Sequence, residues 1–235
     1  MIETLINALA KENVALNDTQ ISQFEKYYQL LIEWNEKMNL TAITEPTEVA
    51  IKHFYDSITF LFHTYIKKCG KVIDVGTGAG FPGISLKIMR PDIQLTLLDS
   101  LNKRLIFLQE VCDNIGIDAV IIHKRAEEGG RDKNLREKFD IATSRAVANM
   151  NTLSEYLMPF VKVKGKMVAM KGKNGDEELA NAKGAIKILN GEIVKCDEFL
   201  LPNGDERTII VVNKKSHTPM QYPRQGGKIK NNPLK

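Results

Sequence analysis

Four glycines fall within eight residues in Gly76-Thr77-Gly78-Ala79-Gly80-Phe81-Pro82-Gly83, directly after the apolar run Val72-Ile73-Asp74-Val75. Glycine takes positive φ without strain and lets a ligand approach where a Cβ would stop it. Ile84-Ser85-Leu86-Lys87-Ile88 then begins a helical pattern, so the stretch is a strand, a tight turn and a helix, the opening unit of a nucleotide-cofactor fold. Gly78 to Gly83 spells G-x-G-x-x-G, which taken alone fits a dinucleotide but is a weak signal. Pro82 at the helix start has no N–H and so withholds a donor that a pyrophosphate would use, although proline is otherwise comfortable at a first helical position. Asp74 adds negative charge where a phosphate would be repelled and a ligand carrying an ammonium and a sulfonium attracted. S-adenosylmethionine fits this loop, and NAD fits it poorly.

Other side chains able to do chemistry lie at strand ends. Asp99 closes the second apolar run, where a carboxylate can accept both ribose hydroxyls or cap the next helix. Ala126 and Glu127 follow the third run, where the adenine edge of such a ligand should lie. Arg145 follows the fourth, at the edge where open α/β sheets place ligands. It could hold the cofactor, a phosphate or a guanine, or pair with a neighbouring acid. His53 and Asp56, three apart on one helical face, either line the mouth of a substrate site or bond to each other. Lys171 and Lys173 follow the fifth run and could meet RNA phosphates or simply stand in solvent. Cys69, Cys112 and Cys196 are dispersed with no C-x-x-C pair, which argues against a disulfide framework or a zinc site, and no metal is expected.

These residues need a scaffold, and 235 of them suffice for one large domain or a core with an appendage. Hydrophobic content of 43% and charged content of 26% are those of a soluble globular chain. No apolar run reaches membrane-spanning length, and Glu3 interrupts any signal-peptide core, so the expected location is the cytoplasm. Residues 1–66 read as a helical cap on the sheet. Ile2, Leu5, Ile6 and Leu9 share one face, Asn17-Asp18-Thr19 caps a second helix, and Pro46 suits the first turn of a third that carries His53. From Lys71 onward short apolar runs alternate with helices: Lys71–Val75, Gln94–Leu98, Ala119–Ile122, Phe139–Thr143 and Lys166–Met170. That is the signature of a parallel sheet.

The end of the chain separates two fold families. Glu192–Leu201 and Arg207–Asn213 are extended runs around Pro202-Asn203-Gly204-Asp205, strong turn chemistry that predicts an antiparallel hairpin at one sheet edge. A Rossmann dehydrogenase built of parallel halves has no such ending. A seven-stranded, mostly parallel α/β sheet with a reversed last strand is the class I S-adenosylmethionine-dependent methyltransferase arrangement, here spanning residues 67–214. Residues 215–235 read as a basic, mobile tail. From Asn213 onward Lys214, Lys215, Arg224, Lys228, Lys230 and Lys235 stand with no acid, so this stretch carries +6 against a whole-chain net of +4 and the remainder is −2. Such a tail is either polyanion-seeking, with Lys214 and Lys215 as candidate RNA contacts, or a solubiliser.

The chain also resembles the bacterial small-subunit (16S) ribosomal RNA guanine-N7 methyltransferases. The resemblance is carried by Asn39-Leu40-Thr41-Ala42-Ile43-Thr44, His53-Phe54-Tyr55-Asp56-Ser57, Asp74 through Gly83, Asp99 through Arg104, Arg125-Ala126-Glu127, Ser144-Arg145-Ala146-Val147-Ala148 and Arg207 through Val212. It implies that Gly76, Phe81, Ala126, Glu127 and Arg145 contact S-adenosylmethionine. It also implies that ribosomal RNA or a small ribosomal subunit is the partner; nothing in the sequence demands more than a monomer, and no membrane partner is expected. The segment Thr143-Ser144-Arg145-Ala146 lacks the Pro-Pro-aromatic pattern of exocyclic-amine methyltransferases, and no cysteine sits where base-carbon methylation would need a nucleophile. Guanine N7 offers a lone pair directly, so in-line displacement at the sulfonium methyl requires only positioning, with Arg145 and His53 as candidates. A methyltransferase acting on a small molecule or a protein, or a non-catalytic RNA-binding protein of this fold, remains the alternative.

Overall fold

The computed structural model describes all 235 residues. The N-terminal helices are α1 (Ile2–Ala10), α2 (Asp18–Met38), α3 (Pro46–Val49) and α4 (Asp56–His63), the last two joined by a π-helical turn over Ala50–Tyr55. Asn17 and Gln20 form a reciprocal capping box at the start of α2, satisfying two amides that a helix leaves orphaned. The remaining chain runs β1 (Lys71–Val75), α5 (Gly83–Met89), β2 (Gln94–Asp99), α6 (Asn102–Ile115), β3 (Ala119–His123), α7 (Ala126–Arg131), β4 (Phe139–Arg145) and α8 (Met150–Leu157). It closes with β5 (Val161–Lys171), α9 (Gly175–Ile188), β6 (Gly191–Leu200), β7 (Glu206–Lys214) and α10 (Gly226–Asn231).

The seven strands lie in the order β3-β2-β1-β4-β5-β7-β6, and β7 runs antiparallel to both its neighbours. The hairpin predicted from Asn203-Gly204 is therefore present, with Gly204 at φ +88 where a side chain would be strained. This is a mixed, mostly parallel α/β sheet. The order reverses between β1 and β4, and it is outside the carboxyl ends of such strands that ligands bind.

In the cap, α1 and α2 are buried against other helices, whereas α4 reaches the sheet, with Phe60 among Val72, Ile141, Val168 and Ile209. Phe24, Tyr27 and Leu31 of α2 join Ile84, Ile88, Leu108 and Val111 of α5 and α6 in one apolar cluster, which also takes in Phe54 and Ile58. A second cluster fills the opposite face, where α8 and α9 cover Ala142, Met167, Ala169 and Ile210.

Residues 215–235 do not behave as the mobile tail that their charge suggested. Arg136 donates to the carbonyls of Thr218 and Tyr222, and Arg131 donates to that of Pro223. The Arg224 guanidinium forks onto Glu155, whose side chain is 0% exposed. Ile229 is fully buried, and Leu234 accepts a bond from Asn151. The tail is thus anchored mainly through its own carbonyls, which accept from Arg131, Arg136 and Asn151 of the body, and through one of its cations, Arg224, on a buried carboxylate.

Candidate active site

The glycine loop is held from both sides. Gly76 and Thr77 donate to the Leu98 carbonyl, and Gly78 donates to Asp99 Oδ2 at 3.0 Å. Gly76, Gly78 and Gly80 take φ of +70, +60 and +97, the left-handed region that glycine alone enters cheaply. A Cβ on Gly80 would stand 2.6 Å from the Tyr27 hydroxyl and 2.7 Å from Ile84, whereas one on Gly78 would meet nothing within 4 Å. Gly80→Val is therefore expected to cost about 3 kcal/mol, overpacking added to backbone strain, and Gly78→Ala only about 1 kcal/mol of strain. Urea unfolding of the two variants checks this; equal losses would contradict the packing described.

Asp74 does not face a ligand. It lies one residue back from the loop on the side covered by α5, fully buried, and its Oδ2 accepts from Thr77 Oγ1 at 2.8 Å and from the Gly83 amide at 2.9 Å. Burial raises it to about 7, against the pull of those two hydrogen bonds, and its other oxygen meets no polar group of the protein. It braces the loop and the first turn of α5. The cation-attracting role expected of it is corrected accordingly, since a buried carboxylate near neutrality cannot supply an exposed charge.

A cleft of about 620 Å³ opens over the carboxyl ends of β1, β2 and β4. Gly76, Asp99, Ala126 and Glu127 line it together, as expected, with Val147, Thr152 and Tyr156 opposite. Each Asp99 oxygen holds one backbone amide, Gly78 through Oδ2 and Leu101 through Oδ1, which fixes the carboxylate while leaving lone pairs for a diol. Gly78, Gly80 and Phe81 are not among its walls. Phe81 lies beneath the loop, stacked between Tyr27 at 5.4 Å and His53 at 4.7 Å.

Arg145 also points elsewhere, into a second cleft of about 350 Å³ lined by His53, Asp56, Ala146, Lys171, Glu178 and Arg207 among others. Its Nη1 reaches the carbonyls of Lys52 and His53 at 3.2 and 3.3 Å, Ser57 Oγ at 3.4 Å and Asp56 Oδ2 at 3.2 Å, with the guanidinium carbon 5.0 Å over the Phe81 ring. Arg207 Nε meets the same Asp56 oxygen at 3.1 Å. The π-helical turn presents the two carbonyls to one guanidinium, a distortion of a kind common at functional sites.

His53 is not paired with Asp56. Its Nδ1 faces Arg145 Nη2 at 3.3 Å and its Nε2 lies 2.8 Å from Thr41 Oγ1. An arginine can only donate, so Nδ1 accepts and Nε2 carries the hydrogen toward Thr41. Burial and the Arg145 charge lower His53 to about 3, and the ring is a neutral spacer rather than a base. The pH consequences have opposite signs. His53 binds a proton more readily unfolded, so its contribution to stability is full above about pH 6.5 and is lost as pH falls toward 3. Asp74 binds one more readily folded, so its contribution is full below about pH 4 and is lost as pH rises through 7. His53→Gln should therefore leave Asp74 unopposed, and stability should fall between pH 4 and 6.5 by up to about 1.4 kcal/mol per unit where the wild type stays nearly flat. Urea midpoints across that range decide it, and parallel pH profiles would contradict the assignment.

A family model described as "GidB: rRNA small subunit methyltransferase G" matches residues 20–209. The chain belongs to that family. Ribosomal RNA small subunit methyltransferase G of Streptococcus uberis is 47% identical over 99% of both chains. The protein of the same name from Alkaliphilus oremlandii is 51% identical over 95% of this chain and 94% of its own. Among solved structures, a putative methyltransferase from Bacillus halodurans aligns with TM-score 0.54 at 11% identity, covering 69% of this chain and all of its own. Precorrin-6y C5,15-methyltransferase from Geobacter metallireducens aligns with TM-score 0.53 at 15%, covering 68% of this chain and 86% of its own. At such identities the agreement is one of fold.

In this methyltransferase three of the four lysines expected to meet RNA are otherwise engaged. Lys214 is 0% exposed at its side chain and donates to the carbonyls of Met158 and Val161 and to Thr218, beside Glu137 at 3.1 Å. Burial lowers it to about 8, and no phosphate can reach it. Lys171 pairs with Glu178 and donates to the Ala148 carbonyl, both at 2.7 Å, so it holds the β4–α8 loop. Lys215 is exposed but pairs with Glu192 at 3.0 Å. Lys173, 77% exposed with Glu206 3.5 Å away, is the freest. Sequence alone gave no sign of Tyr27, which bonds the Ala79 carbonyl from 52 residues away, or of Glu155, an acid whose only signal is its place on the apolar face of α8.

Proposed function

We propose that this chain transfers the methyl group of S-adenosylmethionine to N7 of a guanine in small-subunit ribosomal RNA. The observation that carries the reading is the adjacency of the two clefts. Ala146 lines the second and Val147 and Ala148 line the first, so one turn of backbone after β4 separates them. Ala146 takes φ +56, a sharp kink that sends Arg145 and Val147 to opposite sides.

The residues of the larger cleft suit the cofactor. Asp99 presents fixed oxygens for the ribose, and Ala126 and Glu127 wall the adenine side. Gly76 opens the loop so closely that its Cβ would stand 2.8 Å from Val147. Bound there, S-adenosylmethionine supplies an electrophilic methyl group. The chain's own task is geometry: N7 must lie about 3–3.5 Å from that carbon and in line with sulfur. The smaller cleft is walled by Arg207, Asp56 and Glu178, whose charges are balanced by Arg145 and Lys171, a polar lining suited to a base. No side chain need remove a proton, because N7 attacks through its lone pair, and a neutral His53 with both nitrogens engaged agrees with that. A cleft of this size admits a base only when it is unstacked, so an open RNA segment is the substrate. Both clefts belong to one chain, which makes a monomer sufficient, and no helix is long and apolar enough to cross a membrane. We place the reaction in the cytoplasm.

Labelled S-adenosylmethionine incubated with the protein and either small ribosomal subunits, their naked RNA, or a pool of small metabolites tests the reading. Label should enter RNA. Label confined to metabolites would assign a different acceptor. Failure to bind the cofactor at millimolar concentration in calorimetry would make the chain a non-catalytic RNA-binding protein.

A further inference from the structure

The tail does more than dock. Gly226, Gly227 and Lys230 line the same cleft as Gly76, Asp99, Ala126 and Glu127. A Cβ on Gly226 would overlap the Glu127 carboxylate, so backbone and carboxylate are in direct contact and a side chain there would have to displace the carboxylate. Gly130, four residues after Ala126 on α7, meets Pro223 in the same way, with a would-be Cβ 3.0 Å from its ring. The lining residues are fixed on both sides. Upstream are the Arg224–Glu155 fork and the Arg131 and Arg136 bonds to tail carbonyls. Downstream are the buried Ile229 and the Asn151–Leu234 bond.

We propose that residues 224–231 form a wall of the cofactor site, positioning Glu127 and closing the cleft over S-adenosylmethionine, so that tail docking and cofactor binding stabilise each other. The proposal rests on the larger cleft being the cofactor site. Its physical basis is reciprocal linkage: a ligand that touches the docked tail must hold it down by the same free energy by which the docked tail tightens the ligand. The anchor on Glu155 makes this an ordered wall rather than a loose strap, because undocking strands a buried carboxylate without its cation. Of the basic residues of this segment Lys230 lines the cleft and Arg224 holds Glu155, while Lys228 faces a separate hollow with Arg131 and Gln221.

Two measurements on the full-length chain test it. Gly226→Val, which forces a side chain into Glu127, should weaken S-adenosylmethionine binding at least tenfold by calorimetry. Asp99→Asn, on the far side of the cleft, should weaken it as well. If Asp99→Asn weakens binding and Gly226→Val does not, the wall is refuted while the cleft assignment stands; if neither does, the cleft assignment has failed and the wall with it. Limited trypsin digestion of the wild type needs no variant to fold. Saturating S-adenosylmethionine should slow cleavage after Arg224, Lys228 and Lys230 several-fold, with cleavage after the distant Lys37 unchanged. Tail cleavage at the same rate with and without the cofactor would overturn the proposal.

Discussion

Arg145→Met is expected to lower stability by about 3 kcal/mol and methyl transfer by at least about 100-fold. The stability loss comes from acceptors stranded together. One guanidinium reaches the Lys52 and His53 carbonyls, Ser57 and Asp56; its removal takes a donor from this cluster and leaves Asp56 with Arg207 alone, while the His53 carbonyl keeps the Ser57 hydroxyl. The rate loss comes from position. These contacts tie the π-helical turn of the cap to the end of β4, and displacing a cleft wall by about 1 Å is enough to cost a factor of about 100 in an in-line transfer. Arg145→Lys separates the two effects. A lysine can keep the charge beside Asp56 but cannot span the fork, so it should recover part of the stability and little of the rate. Urea unfolding and single-turnover transfer measure them, and a fully active Arg145→Met would remove the arginine from the site.

Arg224→Met should destabilise the fold by about 3–5 kcal/mol, the cost of leaving a buried carboxylate without its partner. Glu155 is 0% exposed, and besides the guanidinium it has only the Arg224 amide. If the tail lets go and water reaches Glu155, the loss is capped by the docking free energy and residues 216–235 become sensitive to protease. The double variant with Glu155→Gln should regain much of the loss, because the charge itself is what cannot be buried alone. A change below about 0.5 kcal/mol in Arg224→Met would mean that the tail carries no weight in the fold.

These two arginines mark where sequence is a good guide and where it stops. The strands were legible because a parallel sheet buried on both faces demands continuous apolar runs, and Val72, Leu95, Ile141 and Val168 all lie in them. The hairpin was legible because Asn203-Gly204 is turn chemistry acting over four residues. Gly76, Asp99, Ala126 and Glu127 converge because strand ends of a parallel sheet share one edge. Asp74 misleads because strand parity decides its face, and one residue separates an acid under α5 from a loop at the ligand. Lys214 misleads likewise, as the last residue of a strand whose burial continues into it. Helices α7 and α10 are written Ala-Glu-Glu-Gly-Gly-Arg and Gly-Gly-Lys-Ile-Lys-Asn, with glycines that disfavour helix, and they depend on tertiary contacts, helped in α7 by the Glu128 cap on the Arg125 amide. The tail's lysines are solvated as their type suggests, but its backbone and Arg224 are held by Arg131, Arg136 and Glu155, distant in the chain and invisible to local pattern.

The position of the transferred methyl group is the most direct test of the whole account. Small ribosomal subunits incubated with the protein and labelled S-adenosylmethionine should, after digestion of their 16S RNA to nucleosides, yield label in 7-methylguanosine alone. Label in a base methylated on carbon or on an exocyclic amine would contradict a cleft that supplies position and neither a nucleophile nor a base.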